Sequence, residues 1–585
     1  MKAKFSLSSH RIGELVVCAI SAWCITAWLL AIPAPGAAAS TTFTAAIPLW
    51  TALLGFASTF ALAAVLTQRM PIAPYLLLLS LILYGTNVLY TSGNQYFYLI
   101  ILAVFALAIT YVVGEEHPAL ARHTHMSARI SILLIAAVGI IVFAYLLTMT
   151  LCRLFSYSSP CYDFGIFAQM FHNMRESLQP LTTCERDGLL SHFDVHISPI
   201  FYIYLPFYAL IPHPATLLVM QAIFLFSGVI PLVLLARQTE LSRPVTVLVA
   251  ALYFAYPAMI GGCFYDMHEN KLLLPLLLWL FYFLELKRYP LVYLFAVLVL
   301  LVKEDAPIYV AFLAIYWICA KPRKRHGIAL LVLSVVYFIA AVWYLEQHGD
   351  GAMFGRYNNL IGYDGTPVDL IKTALLNPAL ILRESLTEDK LGFLAYMLMP
   401  LGLIPLLTRR FSRFILILPM VLINLMPDYF YQHNIGYQYT YGVAAMLFYL
   451  LVLNLPELRG KVKHGLLLFA LCATVLLTAM RMPGQVFYLN RAVTYADDNA
   501  RIAECLKMIP DDASVRTSTM FSPHLSRRSE LYEIDTRHDT EYAVLDLRPY
   551  VNARVEGYDL DYFERDGWQL IVYEEDLIAI FVAPT

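Results

Sequence analysis

Charge is what this sequence has least of. Only 14% of its 585 residues are Asp, Glu, Lys or Arg, against about 25% in a soluble protein, while 60% are hydrophobic. That balance excludes an ordinary soluble globular chain and describes a polytopic membrane protein. The nine cysteines include no CxxC pair, which excludes the common zinc and dithiol redox motifs. No internal repeat or low-complexity run stands out. The net charge of −2 says little, because the sign asymmetry lies between loops. The first apolar run follows Lys2, Lys4 and Arg11 in the manner of a signal peptide, but at 12–32 it is long for an h-region and reads as an uncleaved span.

What is present is a series of apolar runs long enough to cross a bilayer, about 17–25 residues each. They fall near 12–32, 46–66, 74–90, 97–113, 129–151, 215–236, 244–262, 271–287, 327–345, 391–407, 414–430, 438–454 and 464–481. Two shorter runs, 290–302 and 306–320, are separated only by Lys303-Glu304-Asp305, giving about 15 spans in all. Basic clusters orient them. Lys2/Lys4/Arg11, Arg69, Arg122/Arg129, Arg237/Arg243, Lys287/Arg288, Lys321/Arg323/Lys324/Arg325, Arg409/Arg410/Arg413 and Arg459/Lys461/Lys463 all fall on one side, which is then cytoplasmic. This requires that 197–212, rich in aromatics and holding Pro199, Pro206 and Pro212, does not cross and is interfacial or re-entrant.

The opposite face collects the polar residues. The densest stretch is Asp163–His196, between two apolar runs. Asp163 precedes Phe164, Phe167, Phe171, Met174 and Leu178, a helical stripe. Asp163 is therefore either the N-cap of a helix lying on the membrane surface or a general base just above the headgroups, and one carboxylate can be both. His172 and Arg175 on the same stretch are substrate-binding candidates. His192-Phe-Asp194-Val-His196 places its three polar groups on one face if extended, and its two histidines on one face if helical. Such a set could hold a divalent metal (Mg, Mn, Ca or Zn), touch a phosphate or sugar directly, or simply pin a loop. Asp266, His268, Glu269 and Lys271 mark the junction of two spans, and Lys303, Glu304 and Asp305 mark the next. Ionisable groups there are costly unless they line a polar cavity. Lys271 and Lys303 suit a lipid-linked phosphate, with snorkelling as the alternative. Cys161 and Cys184 could bridge if their loop faces an oxidising compartment, or stay free thiols. The loop 346–390, with GRYNNLIGYDGTP, is too long for a bare connection and reads as a functional loop or lid.

From about 484 the composition is that of a soluble unit. Tyr495–Met508 predicts an amphipathic helix, and Ser514–Thr517, Leu531–Ile534 and Tyr542–Leu547 predict strands. WQLIVY and LIAIFV predict a hairpin across Glu574-Glu575-Asp576.

The segments YDFGIFAQMFHN, SHFDVHISPI, DMHEN, VKEDAPIYV and SVRTSTMFSPHLSRRSELYEI resemble a bacterial family of polytopic membrane proteins known only as a domain of unknown function. The resemblance covers about 129–585. That family in turn resembles the GT-C superfamily of membrane glycosyltransferases, which includes the protein O-mannosyltransferases and the lipid A aminoarabinose transferase. The resemblance implies a catalytic acid in the first large external loop, where Asp163 stands, a polyprenyl-phosphate-linked sugar donor and inversion at the anomeric carbon. Relatives often carry His-Tyr near the last spans, where this chain has Gln438-Tyr439; Tyr439 is kept as a substrate-binding candidate.

The expectation is thus an α-helical integral membrane protein of about 15 GT-C-like transmembrane helices with a small C-terminal extracytoplasmic α/β domain. A four-helix membrane module spans 1–128, a catalytic core with external loop 152–198 spans 129–483, and the C-terminal domain spans 484–585. It is read as a glycosyltransferase of the bacterial plasma membrane, with Asp163 as general base. Its partners are a polyprenyl-phosphate-linked sugar, a glycan, lipid or protein acceptor, and membrane lipids. No nucleotide, organic cofactor or nucleic acid is called for. The rivals are a lipid-linked glycan transporter or flippase, which would place charges in broken helices near the midplane, and a non-catalytic envelope assembly protein. With the N-terminus cytoplasmic, cysteines introduced at Ser177 and Ser529 into a background lacking native cysteines should both react with an impermeant thiol reagent in intact cells. Protection of both would put the polar face on the wrong side.

Overall fold

The computed structural model describes residues 9–31, 48–70, 126–349, 354–361, 378–458 and 460–584, with isolated positions 73, 77, 80, 351, 369, 370 and 373 besides. The expected spans at 74–90 and 97–113, and most of the presumptive lid between 350 and 377, lie outside the described residues. Seven helices among the described residues are long and apolar enough to cross a membrane: Trp50–Arg69, Ala128–Phe155, Pro214–Gln238, Arg243–Phe264, Lys324–His348, Gln438–Glu457 and Val462–Thr494. Tyr289–Leu300, Pro307–Ala320 and Phe411–Leu425 are shorter apolar helices. The expected runs 12–32 and 271–287 appear as Ser9–Ala31 and Leu273–Glu285.

Local chemistry sets the ends and breaks. Ser127 caps Ala128–Phe155 by accepting from the Ile130 amide at 3.2 Å, satisfying one of the orphan donors of a helix start. This helix turns a row of exposed isoleucines and leucines outward, including Ile140 and Ile141, as a lipid-facing surface requires. Pro257 follows Tyr256 at the start of Pro257–Phe264 and divides it from Arg243–Phe254, because proline disfavours helical geometry in its predecessor. Tyr441–Asn454 is buried along its whole length, and a helix apolar all round belongs inside a bundle. Phe281 stacks on Tyr449 of this helix with ring centroids 4.4 Å apart. The run 391–407 continues from Glu388–Leu398 into tight turns at Pro400, Gly402 and Pro405.

The 197–212 segment forms only a short 3-10 turn, Pro199–Ile203, and one short helix, Leu205–Leu210. Neither is long enough to span a bilayer. Ile200, Phe201, Tyr204 and Tyr208 are buried while Leu210 and Ile211 are exposed, so the segment rests one face on the bundle.

Beyond the bundle the C-terminal residues build a five-stranded sheet. Its strands are β3 Val515–Thr517, β4 Leu531–Glu533, β5 Tyr542–Asp546, β6 Gln569–Glu574 and β7 Ile578–Val582 (β1 Leu181–Thr182 and β2 Leu190–Ser191 form a separate hairpin in the 156–198 loop). The order is β4-β3-β5-β7-β6. β3, β4 and β5 run parallel and the β6–β7 hairpin is antiparallel. The helix expected before the first strand is Ala496–Leu506. The 156–198 loop is held between sheet and bundle. Thr183 accepts from the Leu531 amide at 3.0 Å and donates to its carbonyl at 2.6 Å. Gln169 donates to the Ser529 carbonyl at 3.0 Å.

Arg548 is the main rivet. It is fully buried against Asp546, with Nε donating to Oδ1 at 2.8 Å, and its two terminal nitrogens donate to the carbonyls of Ser156 and Tyr157 at 3.2 and 2.9 Å. Removing one partner of a buried pair strands the other charge and costs about 3–5 kcal/mol. Arg548→Leu should therefore lower the melting temperature of the detergent-solubilised protein and speed proteolysis of the segment after 484. An unchanged melt would show that the sheet docks by other means.

Candidate active site

The polar segments singled out in the sequence meet around one cavity of about 890 Å³ between the helices and the sheet. Asp163, His192, His196, His268, Lys303 and Tyr439 all line it. So do residues from three further elements: Gly355 and Arg356 of the 346–390 loop, Thr519 and Glu533 at the ends of strands β3 and β4, and Arg554.

Asp163 lies within a single π-helical turn, Cys161–Gly165, directly ahead of the helix Ile166–Ser177. It does not cap that helix: Gly165 occupies the cap position and no side chain serves it. π turns are rare and concentrate at functional sites. The Asp163 carboxylate accepts from the Tyr265 hydroxyl at 2.7 Å. Burial pushes its pKa up from the ordinary 3.8, the Tyr265 bond opposes this, and Asp266 and Glu269 add to the rise. The sheet holds the turn from the other side. The Cys161 amide donates to Thr519 Oγ1 at 3.0 Å, and the Thr519 hydroxyl donates to Glu533 at 3.1 Å.

Lys303 is buried and pairs with Glu269, Nζ to Oε1 at 3.0 Å. Burial disfavours its charge, but Glu269 and Glu304 outweigh that and drive its pKa up, so it is a standing cation in the cavity wall. Arg356 supplies a second, stacked over Tyr429 at 4.4 Å and Tyr439 at 5.4 Å from the ring centroids. His268 is pushed well below the usual imidazole range, first by burial and then by Lys303 and Lys271. Its Nδ1 accepts from the Asn270 amide at 3.3 Å and lies 3.0 Å from Glu269 Oε2. Asp305 is half-buried and does not line the cavity; desolvation and then Glu304 raise its pKa to about 6.

Other expected site residues are turned to different work. Asp266 pairs with Arg153, one link being Nη2 to Oδ2 at 3.2 Å. Lys271 donates to the carbonyls of Tyr265 and Asp266, so it fastens the turn and does not face the cavity. His172 and Arg175 sit toward the far end of Ile166–Ser177, roughly 14–18 Å along the axis from Asp163 at 1.5 Å per residue; neither lines the cavity, and Arg175 pairs with Glu176 at 3.1 Å.

The His192-Asp194-His196 set is not gathered into one ligand shell. His192 Nδ1 meets Glu185 Oε2 at 2.9 Å, His196 Nδ1 meets Glu304 Oε1 at 2.8 Å, and Asp194 accepts from the Tyr344 hydroxyl at 3.1 Å. Burial lowers the His192 pKa but Glu185 raises it more. No group of three His, Cys, Asp or Glu among the described residues has metal-holding geometry. With each of the three held by its own partner, His192, Asp194 and His196 as placed do not fit a divalent ion.

Sequence reasoning missed Tyr265, Arg153, Glu185, Arg356 and Glu533 as site builders. For Arg153 a signal existed, an arginine in the last turn of a long apolar helix, where a charge needs a partner.

Residues 153–553 match the family described as predicted membrane protein (DUF2079). The chain belongs to this family. No curated protein matches the DUF2079 chain. Among solved structures it is similar to ArnT from Cupriavidus metallidurans bound to undecaprenyl phosphate, at 10% identity and TM-score 0.48, covering 78% of this chain and 100% of that one. The apo form of the same protein is similar at 11% identity and TM-score 0.42, covering 78% and 99%.

The raised pKa of Asp163 has a consequence for stability. The folded DUF2079 chain holds this proton more tightly than the unfolded chain, so stability falls as pH rises from the ordinary value near 3.8 through the raised one. Above both values the full penalty remains. Asp163→Asn removes the charge and keeps an acceptor for Tyr265. Melting curves between about pH 4 and 8 should show the variant gaining on the wild type as pH rises. Parallel curves would mean that the carboxylate is solvated.

Proposed function

We propose that this protein is a membrane glycosyltransferase that moves a sugar from a polyprenyl-phosphate donor to an extracytoplasmic acceptor. The observation that carries the reading is the placement of Asp163. It is a half-buried carboxylate with a raised pKa, opening on a polar cavity that is also lined by Lys303, Arg356, Arg186 and Arg554. A hydroxyl is a poor nucleophile at neutral pH, and a positioned base of raised pKa is suited to take its proton. The acceptor O–H proton passes to Asp163 as the new bond to the anomeric carbon forms. The bond from that carbon to the phosphate oxygen breaks, and the polyprenyl phosphate leaves with the electron pair. Lys303 and Arg356 would stabilise the charge that develops on the phosphate. Lys271, occupied by backbone carbonyls, is released from that role.

The reading places the cavity outside the cytoplasm, with the sheet and the 346–390 loop shaping the acceptor side. Inversion at the anomeric carbon and the donor class come from the GT-C resemblance; the sugar and the acceptor are left as classes. A transporter would need its charges at the membrane midplane, and here they gather at one end of the helices.

Transfer from a polyprenyl-phosphate sugar by purified protein should fall by at least about 10²-fold in Asp163→Asn, with donor binding retained. Asp163→Glu should recover little, because about 1 Å of misplacement costs about 10²-fold. A variant that kept its activity per folded molecule would remove Asp163 as the base.

A further inference from the structure

A second cavity of about 700 Å³ lies behind the Tyr265–Asp163 bond, between the ends of Ala128–Phe155 and Pro257–Phe264 and the junction of Gly460–Ala479 with Met482–Thr494. No acidic residue lines it, and both of its charged side chains are arginines, Arg153 and Arg481. Arg153 is neutralised by Asp266. Arg481 makes no side-chain hydrogen bond or ion pair among the described residues.

The walls are cut to leave the Arg481 guanidinium room. A Cβ on Gly261 would come within 3.2 Å of its Nε, and one on Gly436 within 2.9 Å of its Nη2. Tyr396, Tyr437 and Tyr488 are also in the lining, beside the amides of Asn434 and Gln485, offering hydroxyl donors and the aromatic faces typical of the membrane interface. A planar guanidinium left over among neutral donors is matched by a tetrahedral oxyanion, which it can bind by two parallel hydrogen bonds. Met482–Thr494, which lines the cavity through Gly484, Gln485 and Tyr488, also exposes Phe487 among them and Val493 toward the helix end. The anion that fits here carries hydrocarbon.

We infer that this cavity is a second lipid site, which takes the phosphate headgroup of an anionic lipid on Arg481, separate from the cavity that Asp163 faces. It does not depend on glycosyl transfer being the reaction of the main cavity.

The test is a thermal-shift titration of the full chain in detergent with dioctanoyl phosphatidic acid, dioctanoyl phosphatidylcholine and inorganic phosphate. Phosphatidic acid should stabilise the wild type saturably, and Arg481→Gln should weaken that binding by about 10-fold or more. Gly484→Leu tests the space itself. A Cβ there meets nothing within 4 Å, and leucine suits a helix better than glycine, so the variant should fold and still lose the lipid. Asp163→Asn should bind phosphatidic acid as the wild type does, whatever becomes of its transfer activity. The site is overturned if Arg481→Gln and Gly484→Leu both bind like the wild type, or if phosphatidylcholine binds equally well. Inorganic phosphate stabilising as well as phosphatidic acid would overturn the lipid assignment.

Discussion

The Arg153–Asp266 pair is the contact on which the site depends. Both side chains are almost wholly buried where two helices end, and a lone charge there would be severely penalised. Each needs the other, so the end of Ala128–Phe155 is tied to the turn after Pro257–Phe264. Lys271 fastens the same turn through two of its carbonyls. With Asp266 fixed, its neighbour Tyr265 is fixed, and the Tyr265 hydroxyl sets the orientation of Asp163. The geometry of the carboxylate is thus inherited from an ion pair that does not itself line the cavity.

The sheet supplies the second constraint. Strands β3 and β4 end at Thr517 and Glu533, and the π turn carrying Asp163 sits at those ends. In parallel sheets this is where a ligand is ordinarily bound. Here Thr519 and Glu533 grip the chain's own turn. Gly349 shows how closely the other segments approach: a side chain there would run into the Asp194 carbonyl, so the start of the 346–390 loop must pass directly over the HFDVH segment.

The two cavities differ in their electrostatics for a physical reason. The first mixes carboxylates with Lys303, Arg356, Arg186 and Arg554. The second lacks acids altogether and suits an anion held in place. Tyr265 borders the second cavity and bonds a carboxylate of the first, which makes it the partition between them.

The membrane class, the position of nearly every described helix, the shortness of the helices in 197–212 and the strands of the C-terminal sheet were all legible in the sequence. Those follow from local patterns: apolar run length, proline position and alternation within a few residues. The sequence also showed that the acidic and histidine-rich segments lie between the spans, since the spans are almost without charge. Only the tertiary structure decided which polar residues face the cavity. Asp266 and Lys271 were diverted to Arg153 and to backbone carbonyls, and the HFDVH histidines were each taken by a different glutamate. Arg356, Glu533 and Arg554 arrived from segments far along the chain. A buried polar group turns toward whichever partner satisfies it, and that partner is supplied by packing between distant segments, which no local pattern encodes.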